Sequence, residues 1–247
     1  MRSDEQTSLH SAATSTSWTC SGASRENVRK CVVRSLSRCT SANMSSRSST
    51  FAACSRKSLL LDPADLGNNY FYEVNLNELQ DDRLTVKLTV FGVKADTAVF
   101  NFPHIVPGIY GAMDFGRNIV QFRALAGTDT LPVVRLGVNS WKISRAHKLT
   151  EIRYEVNDGW EEFGSGTTAG FYKSAESSFT KDKVFVINNN CLFGYFSGGE
   201  QWPVFVTFRK PEDFYAATSL TSTTKSPEKD EFSAKNYREL VDNPDRK

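Results

Sequence analysis

The chain has 247 residues, 39% of them apolar and 12% aromatic, and a formal net charge of +2. A length of this order supports one substantial core, since a sandwich of about 150 residues hides roughly 70% of its unfolded surface. The near-neutral charge excludes the basic field that drives sequence-independent binding to phosphate backbones, so nucleic acid is not an expected partner, and no apolar run approaches the ~20 residues that span a bilayer as a helix.

The first segment, residues 1–66, is a leader. From Met1 to about Lys57 it is rich in Ser, Thr and Arg, has few large apolar residues, and shows no period of two or 3.6 that could organise a buried face. It is expected to be disordered. Arg25, Arg29, Lys30, Arg34 and Arg38 give it a transit-peptide-like composition, but Asp4 and Glu5 open the chain and no secretory signal is visible, so the compartment is not read. Cys20, Cys31, Cys39 and Cys54 lie in this leader without the tight C-x-x-C spacing of a zinc clamp. Cys191, in the folded part, is expected to be a buried small apolar residue.

From Tyr70 the period becomes two. Tyr70, Tyr72, Val74 and Leu76 alternate with Phe71, Glu73 and Asn75, and Leu84, Val86, Leu88 and Val90 alternate with Thr85, Lys87 and Thr89. The polar Asp81-Asp82 between them predicts an antiparallel hairpin. Further strands are expected at Ala98–Phe102, Ile119–Ala124, Pro132–Leu136, Ser140–Ser144, Ile152–Val156, Lys183–Ile187 and Val204–Phe208. Many short strands separated by turn residues, with no long helix between them, predict an all-β, antiparallel β-sandwich over residues 67–220. Beyond it, Thr221–Lys229 reads as a linker, with Ser226-Pro227 as its signature. Phe232, Tyr237, Leu240 and Val241 then supply the apolar side of a short helical tail, completing a third segment at 221–247.

Catalytic chemistry is hard to assemble from this sequence. The three histidines, His10, His104 and His147, are too far apart to share a helical turn, so no H-E-x-x-H zinc site can be built, and neither catalytic nor metal-binding residues are assigned. Gly164–Gly170 lacks the lysine and spacing of a phosphate loop, and Glu161-Glu162 point apart on an extended strand. Neither is read as a site.

One string has more character: Phe102-Pro103-His104-Ile105-Val106-Pro107-Gly108-Ile109-Tyr110-Gly111-Ala112-Met113-Asp114-Phe115-Gly116-Arg117-Asn118, followed by Ile119–Phe122. Pro107-Gly108 suits the centre of a type II turn. The string resembles the P-G-x-Y…F-x-R region of the N-terminal domain of glycyl aminopeptidases, metallopeptidase family M-sixty-one. Tyr70–Val74, Leu131–Val133, Asn139–Ile143, Ile152–Val156, Phe193–Gly198 and Trp202–Val204 resemble further segments of that domain in the same order, and Tyr237–Pro244 resembles its lead-in to the catalytic domain. The resemblance implies a non-catalytic β-sandwich that packs on a thermolysin-like zinc domain and helps to wall a substrate cleft. It implies no cofactor in this chain, with zinc held by the catalytic domain that this sequence lacks, and that domain as a possible partner in trans. The alternative is a free-standing glycan- or peptide-binding module.

Tyr110, Asp114 and Arg117 follow the turn and are the substrate-cleft candidates, Arg117 as a bidentate partner for a carboxylate. The simpler expectation is that Asp114 and Arg117 satisfy each other or nearby backbone while Tyr110 packs with its hydroxyl at the rim. Trp141 and Trp202 are expected in the core, and Trp160, in the polar Asn157–Glu162 loop, is the exposed aromatic candidate.

Overall fold

A computed structural model of the chain describes residues 29–34, 67–106, 111–160 and 175–242. In chain order the strands are β1 (Arg29–Arg34), β2 (Tyr70–Asn75), β3 (Arg83–Val90), β4 (Thr97–Asn101), β5 (Ile119–Ala126), β6 (Asp129–Leu131), β7 (Val133–Arg135) and β8 (Ser140–Ser144). They continue as β9 (Glu151–Asn157), β10 (Ser178–Thr180), β11 (Val184–Asn188), β12 (Tyr195–Phe196), β13 (Val204–Arg209), β14 (Phe214–Ala217), β15 (Thr221–Lys225) and β16 (Lys229–Ala234). Two short α-helices, Asn189–Leu192 and Tyr237–Asp242, and three 3-10 turns, Leu76–Glu78, Phe115–Asn118 and Ala146–Lys148, complete the described elements. The all-β reading holds.

The main sheet has the order β15-β16-β13-β2-β3-β9-β5-β6. Alternation decides its faces: Tyr70, Tyr72 and Val74 of β2, Leu84 to Val90 of β3, Ile152 to Val156 of β9 and Val204 to Phe208 of β13 bury every second residue on one side. The β2–β3 hairpin closes at Asp81-Asp82, both at positive φ (50° and 55°), between the paired Gln80 and Arg83. This is the type I′ geometry whose twist suits a two-residue hairpin. A second sheet, β12-β4-β8-β7, lies over the buried face, where Phe100 and Phe102 meet Tyr154, and Phe122 stacks on Trp141 at 4.9 Å. Trp141 is in the core as expected, and Trp202 is half-buried against Tyr70 at 5.2 Å. Most pairs are antiparallel, but β2 and β13 run parallel, as does β1 with β11 and β14.

Buried tyrosines lock one irregular segment across this core. Tyr154 Oη donates to Leu192 O (2.6 Å), Tyr237 Oη to Phe193 O (2.8 Å), Tyr72 Oη to Gly194 O (2.7 Å) and Tyr70 Oη to Gly199 O (3.1 Å), while Tyr70 Oη also accepts from Phe196 N. Backbone carbonyls that no ladder reaches are thereby satisfied by side chains that also supply aromatic packing. Gly194 is required here, because a Cβ would sit 2.5 Å from Asn101 O and from the Phe100 ring.

Three expectations are corrected. The stretch read as a linker, Thr221–Lys229, largely forms strand β15 and the turn of a hairpin with β16, whose Asp230, Phe232 and Ala234 are buried. Ser226-Pro227 is that turn, closed by Ser226 N to Lys229 O at 2.8 Å. An alternation of polar residues on an exposed edge strand has no apolar signal to read. The tail helix exists, but it is part of the sandwich: Leu240 is fully buried, Asn189 Nδ2 donates to Leu240 O (2.8 Å), and Asn236 Oδ1 caps the helix by accepting from Glu239 N (2.9 Å). Within the leader expected to be disordered, Arg29–Arg34 forms β1, which lies between β11 and β14 in a third sheet, β10-β11-β1-β14. Local composition misses such a strand because its partners are far away in sequence. Tyr110, the Pro107-Gly108 turn, Glu161-Glu162 and the Gly164–Gly170 loop lie outside the described residues.

Candidate functional site

Asp114 ends the loop that leaves β4 and opens a tight 3-10 turn over Phe115–Asn118, itself in the left-handed region at φ 49°. Its Oδ1 accepts from His104 Nδ1 (2.5 Å) and Asn139 Nδ2 (2.7 Å). These two hydrogen bonds hold its carboxyl below the usual carboxylate range. Asn139 returns Oδ1 to Gly116 N (2.9 Å), and Arg135 donates to Gly116 O and Val138 O, both at 2.8 Å, with its guanidinium over Trp141 at 4.8 Å. The turn is thereby pinned to the β7–β8 connection. Gly116 permits the approach, since a Cβ there would lie 2.4 Å from Val138 O.

Arg117 points the other way. Its guanidinium donates to Met113 O and makes a 2.5 Å contact with Glu176 Oε1. Glu176 has no exposed surface, whereas the Arg117 side chain keeps 26%. Asn118 Nδ2 donates to the second carboxylate oxygen (2.8 Å), while Asn188 Nδ2 (2.6 Å) and Trp160 Nε1 (3.2 Å) both donate to the Glu176 carbonyl. Burial raises the Glu176 carboxyl, and the Arg117 charge and hydrogen bond oppose that rise without cancelling it. Cys191 Sγ lies 3.3 Å from Ala175 O and 3.7 Å from Glu176 Oε2, and burial, then the glutamate charge, push its thiol well up. It is the buried residue expected of it, not an activated nucleophile. Around this knot Asn118, Asn189 and Asn190 are buried with side-chain carbonyls that accept no hydrogen bond.

The candidates are thus split. Asp114 binds His104 and Asn139, Arg117 binds Glu176, and Trp160, 37% exposed, spends its indole N–H on the knot. The sequence reading missed His104, Asn139 and Glu176, and it also missed the polar run Asn188-Asn189-Asn190. That run is the one signal that could have found the knot, because it interrupts an otherwise apolar stretch from Val184 to Phe193. The residues do not suit a zinc ion: His104 and His147 each face a single carboxylate, Asp114 and Asp96. Among the described residues no group of three or more His, Cys, Asp or Glu side chains could hold a metal. What the Asp114 side offers is a surface. Ile105, next to His104 in the chain, and Leu136 and Val138, on the β7–β8 connection tied to Gly116, are exposed, so apolar side chains border the hydrogen-bonded turn; Val134, in strand β7, is exposed as well.

Fold and site together define an all-β sandwich domain with a buried ionic brace and an exposed apolar rim. The sequence profile of the Peptidase M61 N-terminal domain matches residues 71–245, and the chain belongs to that family. Among solved structures, the aminopeptidase N family protein from Idiomarina loihiensis is similar, with a TM-score of 0.54 and 20% sequence identity over 70% of this chain and 28% of that one. This supports the fold, and the chain spans 28% of that protein's length. No curated protein matches the chain.

Proposed function

We propose that residues 67–242 act as the non-catalytic N-terminal sandwich of a glycyl aminopeptidase-type metallopeptidase, packing on a zinc-bearing catalytic domain and walling its substrate cleft. The observation that carries this reading is the exposed apolar set of Ile105, Leu136 and Val138 beside the Asp114 turn, within a domain whose family is that of a peptidase N-terminus. Exposed apolar side chains held on a rigid, cross-braced turn suit a preformed docking face. Asp114 presents its carboxylate at that face, while Arg117 and Glu176 stiffen it from below. Zinc belongs, on this reading, to the partner and not to this chain.

The test is reconstitution. A catalytic domain of this family, produced without its own N-terminal sandwich, is mixed with the chain and followed by gel filtration and by turnover of glycyl substrates. The expected result is a 1:1 complex that Leu136→Asp weakens at least tenfold, about 1.4 kcal/mol, without altering the fold. A complex indifferent to Leu136→Asp, Val138→Asp and Asp114→Ala would place the docking face elsewhere. Absence of any complex would sink the reading.

A further inference from the structure

We propose that the cavity at the open edge of the sandwich, between Ile119–Phe122 and the β7–β8 pair, binds an apolar N-acyl amino acid by its free carboxylate, the chemistry that the C-terminal residue of a peptide presents. The cavity measures about 410 Å³. That lies within the range of roughly 300–1,000 Å³ usual for small-ligand sites.

The cavity exists because the chain changes sheets here. β6 pairs with β5 only along Ala124–Ala126, and after Pro132 the chain leaves as β7 to pair with β8 in the second sheet. Among the described residues no strand pairs with Ile119–Phe122 on the side away from β9. The β5–β9 register also shifts between Val120, opposite Glu155, and Arg123, opposite Arg153, so Gln121 and Phe122 together face Tyr154. Gln121 takes φ 53° in this bulge, a device that re-aims side chains at a sheet margin. Phe122 thereby stays against the core, while Gln121 lines the cavity with a side-chain amide that makes no hydrogen bond among the described residues.

Arg135 supplies the charge. Tyr154, Phe122 and Trp141 stack outward from the core with centroids 5.9 and 4.9 Å apart, and the Arg135 guanidinium caps the stack 4.8 Å from the Trp141 centroid. Its Nε donates to Gly137 O (3.1 Å), and its Nη2 to Gly116 O and Val138 O (2.8 Å each), which leaves the N–H pair of Nη1 without an acceptor among the described residues. Every acceptor it does have is a neutral carbonyl. The cation is therefore fixed in place without a counter-charge, and a carboxylate can bind it without the cost of ordering a long side chain. The carbonyls around the guanidinium disfavour a second negative charge, and Phe122, Val133 and Trp141 give the cavity an apolar wall. A monocarboxylate carried on an aromatic or branched aliphatic group fits such a site, and a phosphate does not. Gln121 completes the match, offering a donor and an acceptor to the amide beside that carboxylate. This inference does not depend on docking to a catalytic domain, because its probe is a small molecule and its residues lie within the sandwich.

The experiment titrates the full chain by calorimetry with N-acetyl-phenylalanine and with the corresponding primary amide. The expected result is saturable binding of the acid, at least tenfold tighter than that of the amide. Val133→Glu places a carboxylate of the chain's own in the cavity without removing any contact of Arg135, and should weaken binding of the acid at least tenfold while the thermal unfolding midpoint stays unchanged. Arg135→Lys keeps the charge but not the planar fork, and should weaken it by a similar factor. A peptide ending in phenylalanine that binds more tightly than N-acetyl-phenylalanine assigns the site to a peptide end, and equal affinity assigns it to the free acyl amino acid. The proposal is overturned if acid and amide bind alike, if the acid shows no saturable binding at millimolar concentration, or if folded Val133→Glu binds the acid as the unaltered chain does.

Discussion

The Leu192–Gly199 segment and the Glu176 knot adjoin in the same core yet satisfy their buried polar groups by opposite means. Along the first, four tyrosine hydroxyls each meet a backbone carbonyl at 2.6–3.1 Å, and their rings fill the core around it. Every partner is neutral, and the match of donors to acceptors is close. In the second, a carboxylate with no exposed surface is balanced by one partly exposed guanidinium, and three asparagine carbonyls nearby accept nothing. The contrast teaches that the tyrosine clamp stabilises and the knot braces: the knot carries the cost of a buried charge in order to hold the Asp114 turn and its rim in a fixed attitude.

Substitutions can break that comparison, and the largest effect is expected where the two regions share a support. Leu240→Ala should destabilise the whole domain by about 2–5 kcal/mol, because the helix lends Tyr237 to the clamp and Leu240 O to Asn189. Urea unfolding measures it, and a loss under 1 kcal/mol, about the ordinary surface range, would show that the tail is not part of the core. Arg117→Met should cost about 3 kcal/mol at neutral pH by stranding Glu176. That cost should shrink as pH falls, since protonating the carboxyl removes the stranded charge. Tyr154→Phe should cost about 1–3 kcal/mol, the penalty of one unsatisfied buried carbonyl, with no dependence on pH between 4 and 7, a range of about three units below any tyrosine titration.

The smallest effects concern pH alone and have opposite signs. The Glu176 carboxyl is raised in the folded state, so its contribution is full below its unfolded value of about 4.3 and is lost as pH rises through the folded value. Asp114 is lowered, so its contribution is present above about 3.9 and is lost as pH falls through the folded value. Glu176→Gln should therefore flatten a falling slope with rising pH and Asp114→Asn a rising one, the latter worth within about 1 kcal/mol because the pair is exposed. Unfolding midpoints collected across the acid range separate the two. Identical slopes in both variants would contradict the assignment.

How far the sequence anticipates this structure depends on the range of the interaction. The strict alternation in Tyr70–Leu76 and Leu84–Val90, with Asp81-Asp82 between, encodes its hairpin locally, and the structure follows it almost residue for residue. β14, β15 and β16 carry polar or short patterns and become strands through partners supplied by β13 and by the buried Lys210 and Asp230. The site splits in the same way. Asp114 and Arg117 stand out in the string that carries the family resemblance, and His104 lies in the same string, but Asn139 and Glu176 come from other segments, the last 59 residues away from Arg117. No local spacing announces a contact of that length.

On the function proposed above, this sandwich serves a peptidase without performing the chemistry. The most direct test is to assay the purified full-length chain for release of glycine and alanine from chromogenic glycyl and alanyl amides, with and without added zinc. No turnover above buffer is predicted under either condition. Chelator-sensitive turnover accompanied by stoichiometric zinc would contradict it, and would place a reaction centre in this chain.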